Sequence, residues 1–197
     1  MAGLDLRHSN IWRNWMSGQV IWITGLSGAG KTTLANELII SLKKRDLQPI
    51  LLDGDILRKL LKVPHKTIDS HTREIRIELA LKYAQMCKLL SSQGFTVVIA
   101  TISMFDEVYA WNRANLPKFF EIYLKVPIEE LRSRDPKNIY QRHTDGHLTN
   151  VAGLDLVVDH PYESNLTLDF ETQPSIWRSP KCLADHVMSE LQNHNMI

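Results

Sequence analysis

The stretch from Val20 to Leu34, VIWITGLSGAGKTTL, constrains this chain more than any other part of it. Val20 to Thr24 is a short apolar, β-branched run of the kind that makes a buried parallel strand. It breaks into Gly25-Leu26-Ser27-Gly28-Ala29-Gly30-Lys31-Thr32, which fits G-x-x-x-x-G-K-[ST] at every fixed position. Thr33 and Leu34 then open a helix-favouring segment, so the strand–loop–helix context of a phosphate-binding loop is complete. Its glycines let the backbone curl until successive N–H groups face a phosphate, and the helix N-terminus adds partial positive charge. Lys31 is positioned to reach β- and γ-phosphates, and the Thr32 hydroxyl to ligate Mg²⁺. Gly25 through Thr33 are therefore expected to bind a nucleoside triphosphate. The competing reading is a glycine-rich turn without a ligand.

The 197 residues suffice for one domain with a real core. A hydrophobic content of 44% and a net charge of +1 exclude disorder and a polyanion-coating surface. Lys and Arg form no basic tail or stripe, which argues against nucleic acid as the main partner. Cys87 and Cys182 are the only cysteines and lack metal spacing; two free thiols suit a reducing cytoplasm, and a disulfide between them is the second reading. No apolar run approaches the roughly 20 residues that span a bilayer, and the first residues do not read as a signal peptide. A soluble, cytoplasmic protein with no membrane partner is expected.

Residues 1–17 read as an N-terminal arm whose Trp12 and Trp15 pack on the domain or on a second subunit. Residues 18–197 read as a single domain. Helices are expected at Thr32–Lys44, Ile56–Leu61, Thr72–Ser92, Glu107–Leu116, from Ile128 to Arg134, and at Lys181–Gln192. Buried strands are expected at Pro49–Leu52, Phe95–Ala100, Phe119–Val126 and Leu166–Phe170, with a loop at Lys62–Ser70. Strands alternating with helices imply a three-layer α/β fold, a mostly parallel sheet flanked by helices on both faces. Asp135 to Pro161 is polar and irregular, and reads as a lid.

A phosphate-binding loop alone does not separate a kinase from an ATPase or a switch protein. No N-K-x-D segment for guanine occurs, and the length disfavours a motor. A small kinase needs a carboxylate near the acceptor oxygen and cations that follow the migrating charge. Asp53 and Asp55, at the end of the second strand, supply carboxylates: one can hold Mg²⁺ through water and the other accept a hydroxyl proton, without the sequence deciding which. Their competing reading is a turn. Arg58, one helical turn past Asp55, and Arg76, early in the long helix, either reach an anionic acceptor or are solvated surface charges. Arg132, Arg134 and Lys137 cluster where a helix enters the lid. There they either fold over the phosphates, worth a rate factor of roughly 10³ or more for such an arginine, or mark a polar helix end. His143 and His147 are four apart, but no helix is evident there and no zinc site is expected.

With those residues in place, the chain resembles the adenylylsulfate kinase family. G-L-S-G-A-G-K-T, then L-D-G-D-x-x-R, T-I-S-M-F, R-D-P-K-x-x-Y and D-H-P-Y-E follow in the family's order and spacing, from about Ile11 to the final helix. The resemblance implies a P-loop kinase fold, ATP and Mg²⁺ as cofactors, a homodimer, and phosphorylation of the ribose 3′-hydroxyl of a small-molecule nucleotide anhydride. It implies that Lys31, Asp53, Asp55, Ser103 and Lys137 serve catalysis and that Thr32 and Asp53 serve the metal. Arg132 and Arg134 join the loop in holding ATP. Asp55, Arg58, Arg76, Ile102, Ser103, Met104, Phe105, Lys137 and Val151 would meet the acceptor, with Tyr140 in the lid. The family assigns a phosphoserine at the position of Ser103, yet in-line transfer needs no protein nucleophile and Ser103 has no evident partner base.

The departures fall on the acceptor side. Leu79 stands where the family has asparagine, Leu81-Lys82 where it has two arginines, and Met104 where it has proline. The lid's K-G-F-T-G, whose ring packs on the acceptor's base, is here Thr149-Asn150-Val151-Ala152-Gly153. An intact ATP half beside an altered acceptor half leaves two substrates open. Adenylylsulfate is the conventional one; cytidine diphosphoramidate, used by capsule-associated members, is the alternative. A non-catalytic nucleotide-binding partner protein is the reading from another class.

Overall fold

The computed structural model describes residues 18–61 and 72–197. The expected arm with Trp12 and Trp15 and the loop at 62–70 lie outside the described residues. Five strands form the sheet: β1 Gln19–Thr24, β2 Pro49–Asp53, β3 Thr96–Ala100, β4 Phe119–Lys125 and β5 Leu166–Asp169. The helices are α1 Lys31–Lys43, α2 Gly54–Leu60, α3 Arg73–Ser91, α4 Asp106–Asn115, α5 Ile128–Arg134, α6 Ile139–Thr144 and α7 Pro180–Asn193. A 3₁₀ turn at Ile176–Arg178 precedes α7.

The strand order is β2-β3-β1-β4-β5, and every pairing is parallel. The chain runs from β1 to one flank and later crosses to the other, so the sheet reverses direction of winding beside β1. Parallel sheets bind ligands in the crevice outside their carboxyl ends at such a point. Gly25, Gly54 and Thr101 each follow directly on a strand that opens onto it.

Alternation along β1 divides two cores. Ile21 and Ile23 face Leu34, Leu38 and Leu42 of α1 and Val187 and Leu191 of α7, all at 0–1% exposure. Val20 and Trp22 face Ala80, Tyr83, Ala84 and Cys87 of α3 and Val108 of α4. The helices α1, α3 and α7 each bury an apolar stripe at three- and four-residue spacing, which is why this sequence takes a three-layer form.

Two expectations are corrected. The stretch from Asp135 to Pro161 is not uniformly irregular: it contains α6, with His143 on it. Asp135 supplies the missing helix signal, its two carboxylate oxygens accepting from Ile139 N at 2.8 Å and Gln141 N at 2.9 Å. Met104, expected at the acceptor, lines neither of the two cavities of the site. Its side chain is fully buried in the α1-side core, and its carbonyl accepts from Asp159 N at 3.0 Å. Cys87 and Cys182 are both free thiols, one buried and one exposed. Among the described residues, no helix is long and apolar enough to cross a membrane.

Candidate active site

The loop after β1 needs its first glycine. Gly25 sits at φ 148°, and a Cβ there would lie 2.8 Å from the Leu124 carbonyl oxygen of β4. The loop then closes around Lys31, whose Nζ donates to the Leu26 carbonyl at 2.7 Å. Desolvation within the loop, followed by the charges of Lys137 and Arg58, brings the Lys31 ammonium down to about 7, with Asp53 opposing. Thr32 Oγ1 donates to Asp53 Oδ2 at 2.7 Å. The other oxygen of Asp53 caps α2, accepting from Asp55 N at 2.8 Å and Ile56 N at 3.2 Å. Above these groups lies a cavity of about 230 Å³ lined by Ser27, Gly28, Lys31, Thr32, Asp53 and Lys137, among others.

A second cavity, of about 430 Å³, adjoins it. Ser27, Asp55, Arg58, Thr101, Ile102 and Ile139 line both and form the shared wall. At that wall Asp55 carries two cations, forming ion pairs with Arg58 on its own helix and with Lys137 from the segment before α6. Burial lowers the pKa of the Lys137 ammonium. Phe105, Ser103, Leu79 and Val151 line the second cavity, together with the cations Lys59, Arg76 and Arg142. Ser103 is strained at φ 33°, and its hydroxyl pairs with Thr101 Oγ1 at 2.8 Å, a hydroxyl rather than a base.

The far rim is a turn fastened by charge. Arg76 donates to the Asn150 carbonyl at 2.7 Å. Burial, then the nearby charge of Arg58, pushes the Arg76 guanidinium down to about 10, with Asp155 opposing. Asp155 accepts from Asn150 N at 2.7 Å and Val151 N at 2.6 Å, and His143 Nε2 lies 3.4 Å from it. Burial alone would raise the Asp155 carboxyl, but those amides hold it below the usual carboxylate range.

A glycine-rich cradle that shares Asp55 with a larger cationic cavity is an arrangement suited to phosphoryl transfer. Residues 17–169 match the model of the adenylylsulphate kinase family. The chain belongs to that family. It is 41% identical over 150 residues to the cytidine diphosphoramidate kinase of Campylobacter jejuni, covering 76% of this chain and 85% of that one. Against the adenylyl-sulfate kinase of Pseudomonas aeruginosa it is 36% identical over 152 residues, 76% of each chain. Among solved structures, the APS kinase of Mycobacterium tuberculosis in complex with AMPPNP and APS superposes with a TM-score of 0.77. Identity there is 28%, covering 90% of this chain and 99% of that one. The protein is thus a kinase of the adenylylsulphate kinase family, with ATP as phosphoryl donor and a hydroxyl as acceptor.

Within this kinase the expected residues fall into four groups. Lys31, Thr32, Asp53, Asp55, Arg58 and Lys137 converge on the smaller cavity, and Arg76, Ile102, Ser103, Phe105 and Val151 line the larger one. Leu26 and Ala29 are packed into the core and serve the loop by shape. Arg132 and Arg134 line neither cavity. Arg132 is exposed; Arg134 pairs with Glu130 at 2.8 Å and lies 4.9 Å over the Phe170 ring. Sequence reasoning missed Lys59, Ile75, Tyr83, Thr101, Ile139, Arg142 and Leu148 as lining residues. Thr101 was findable as the residue closing a buried strand, whereas Arg142 rides on the unpredicted α6.

Proposed function

We propose that this kinase moves the γ-phosphoryl group of ATP to a ribose hydroxyl of cytidine diphosphoramidate. The observation that carries the reading is where the family departures fall. The phosphate half keeps every fixed position, while Leu79 and Val151, both altered, line the acceptor cavity. The 41% identity to the Campylobacter jejuni kinase supports the same acceptor. Adenylylsulfate is the second reading, supported by the family match and by the likeness to the structure that holds APS.

Asp55 is the carboxylate that takes the hydroxyl proton, because it lines both cavities, whereas Asp53 lines the phosphate cavity and is held by Thr32 and the start of α2. The acceptor oxygen bonds the γ-phosphorus as the bond to the β-phosphate oxygen breaks, and ADP leaves. Lys31, Lys137 and Arg58 neutralise the migrating charge. The hydroxyl of Thr32 and the carboxylate of Asp53 are hard oxygen donors of the kind Mg²⁺ takes. Bound there, the ion supplies further charge neutralisation. Ser103, paired with Thr101, shapes the acceptor wall. ATP as donor and two free thiols support a cytoplasmic setting, and the family resemblance supports a homodimer, which light scattering checks.

Steady-state kinetics with both acceptors at saturating ATP test the assignment. Consumption of cytidine diphosphoramidate with negligible turnover of adenylylsulfate is expected. The opposite ranking overturns the acceptor and leaves the kinase reading intact.

A further inference from the structure

The hydroxyl of Tyr140 makes a contact that the transfer chemistry above does not use. Tyr140 lies on α6, is 2% exposed, and donates to the Ser27 carbonyl at 2.8 Å, across 113 positions of sequence. Ser27 belongs to the phosphate-binding loop, so this bond ties the segment after α5 directly to the cradle. We infer that Tyr140 is a positioning residue for ATP, fixing the orientation of the Ser27–Gly28 peptide in the phosphate-binding loop. The inference rests on the reading of that loop as the triphosphate site.

A phosphate cradle works only if its N–H groups point inward and its carbonyls point elsewhere. The Ser27–Gly28 peptide is trans, as are all peptide bonds in the described residues. In a planar trans peptide the C=O and N–H point to opposite sides, so holding the Ser27 carbonyl on Tyr140 turns the Gly28 N–H the other way. Gly28 sits at φ 79°, where a glycine has little intrinsic resistance to a peptide flip, and both Ser27 and Gly28 line the phosphate cavity. Loop sequence alone therefore does not lock the plane; an external donor does. Burial, reinforced by Asp135 and opposed by Arg132, pushes the Tyr140 phenol up to about 12, so it stays a donor throughout physiological pH.

Tyr140 is itself held in place. Asp135 accepts from Ile139 N and Gln141 N, the residues on either side of it. Lys137, two residues beyond Asp135, reaches Asp55 at the shared wall. One short segment thus sets both the floor of the cradle and a cation above it. Ordered this way, α6 makes the nucleotide site depend on a residue far outside the loop motif.

Tyr140→Phe keeps the ring and deletes the donor, so it isolates the contact. Titration calorimetry with Mg–AMPPNP, together with KM for each substrate, reads the effect. An unsatisfied buried carbonyl and a freed peptide plane predict about a tenfold rise in both Kd for Mg–AMPPNP and KM for ATP. KM for the acceptor should change by less than KM for ATP, since Gly28, whose N–H the freed peptide turns, lines the phosphate cavity alone. Asp135→Ala, which loosens α6 without touching the loop, should raise Kd in the same direction and keeps the inference testable if Tyr140→Phe folds poorly. Unchanged nucleotide affinity in the folded variants overturns the assignment. So does a parallel rise in both KM values with a lowered melting temperature, the signature of general loosening. If wild-type protein itself fails to bind Mg–AMPPNP, the phosphate-site reading fails instead.

Discussion

The two adjoining cavities are built from different materials. The smaller one is a backbone structure: a glycine-rich loop between β1 and α1, with Lys31 and Thr32 in fixed sequence relation to it and Asp53 at the end of β2. The larger one is assembled from side chains on α2, α3, the segment after β3, α6 and the turn at 148–152. Backbone cradles recognise what every nucleoside triphosphate shares, and a single wrong residue destroys them. Side-chain walls can change one residue at a time and thereby change the acceptor. The departures from the family at Leu79 and Val151 sit on the wall that tolerates change, and the loop keeps every fixed position.

The largest effect should come from the backbone-built side. Lys31→Ala removes the one ammonium enclosed by the loop and is expected to lower kcat/KM by ~10³ or more, while KM for the acceptor moves little. Stopped assays of ADP formation check this. A loss equal in both KM values would break the division between the cavities. Asp55→Asn, at the shared wall, removes a base and leaves a similar shape, and should lower kcat by roughly 10²–10⁴ with KM for ATP nearly kept. Asp53→Asn should differ from it, because Asp53 also caps α2 and binds Thr32. Its loss should include weaker Mg–ATP affinity.

The same difference in construction explains what could be read in advance. Strand and helix positions followed from apolar periodicity, and the cradle from residues within one short window. Asp53 was placed at the crevice because strand ends gather there, but its bond to Thr32 was not foreseen. What sequence could not supply was the meeting of segments far apart in the chain: Arg76 on the carbonyl of Asn150, and Tyr140 on the carbonyl of Ser27. α6 has a weak apolar stripe, and its stabilising cap, Asp135, lies four residues before its first helical position, so periodicity gave no sign of it. Met104 read as an acceptor residue by motif position, but the strained turn at Ser103 sends it into the core. Arg132 and Arg134 carried the right charge, yet α5 shows them to solvent, to Glu130 and to Phe170.

The side-chain-built cavity should respond more moderately. Val151→Phe restores a ring at the position where the family stacks the acceptor base. A stacking contact is worth about 1–3 kcal/mol, so affinity for adenylylsulfate should rise by roughly tenfold relative to the cytidine compound, measured as a ratio of kcat/KM. No change in that ratio would mean that the rim does not read the base. The phosphate cavity should instead respond to pH. Burial brings the Lys31 ammonium down to about 7 in the free protein, and a bound phosphate should keep it charged. Nucleotide affinity should be fully present below pH 7 and weaken as pH rises past it, by up to about tenfold per pH unit. Calorimetry in two buffers of different ionisation enthalpy should detect proton uptake on binding near pH 8.

The smallest effect is expected where neither cavity reaches, which makes it a background for the others. Glu121 on β4 is fully buried, opposite Trp22 on β1, with Arg113 of α4 at 3.1 Å. Burial raises its carboxyl from 4.5 to about 7, against the pull of Arg113. Trp22 Nε1, both side-chain polar atoms of Asn112, and Glu121 Oε1 are buried with no hydrogen-bond partner among the described residues. Because the folded carboxyl holds its proton more tightly than the unfolded one, its contribution favours folding most at low pH. That advantage is lost as pH rises from 4.5 through about 7. Glu121→Gln cannot ionise, so it should melt higher than wild type at pH 8 and close to it at pH 5. A gain of ~1 kcal/mol corresponds to about 2–4 °C in a chain of this size. Kinetic constants for both substrates should stay near wild type, since the group lines neither cavity. A variant that melts lower at pH 8 would mean that the Arg113 pair outweighs the desolvation of the buried charge.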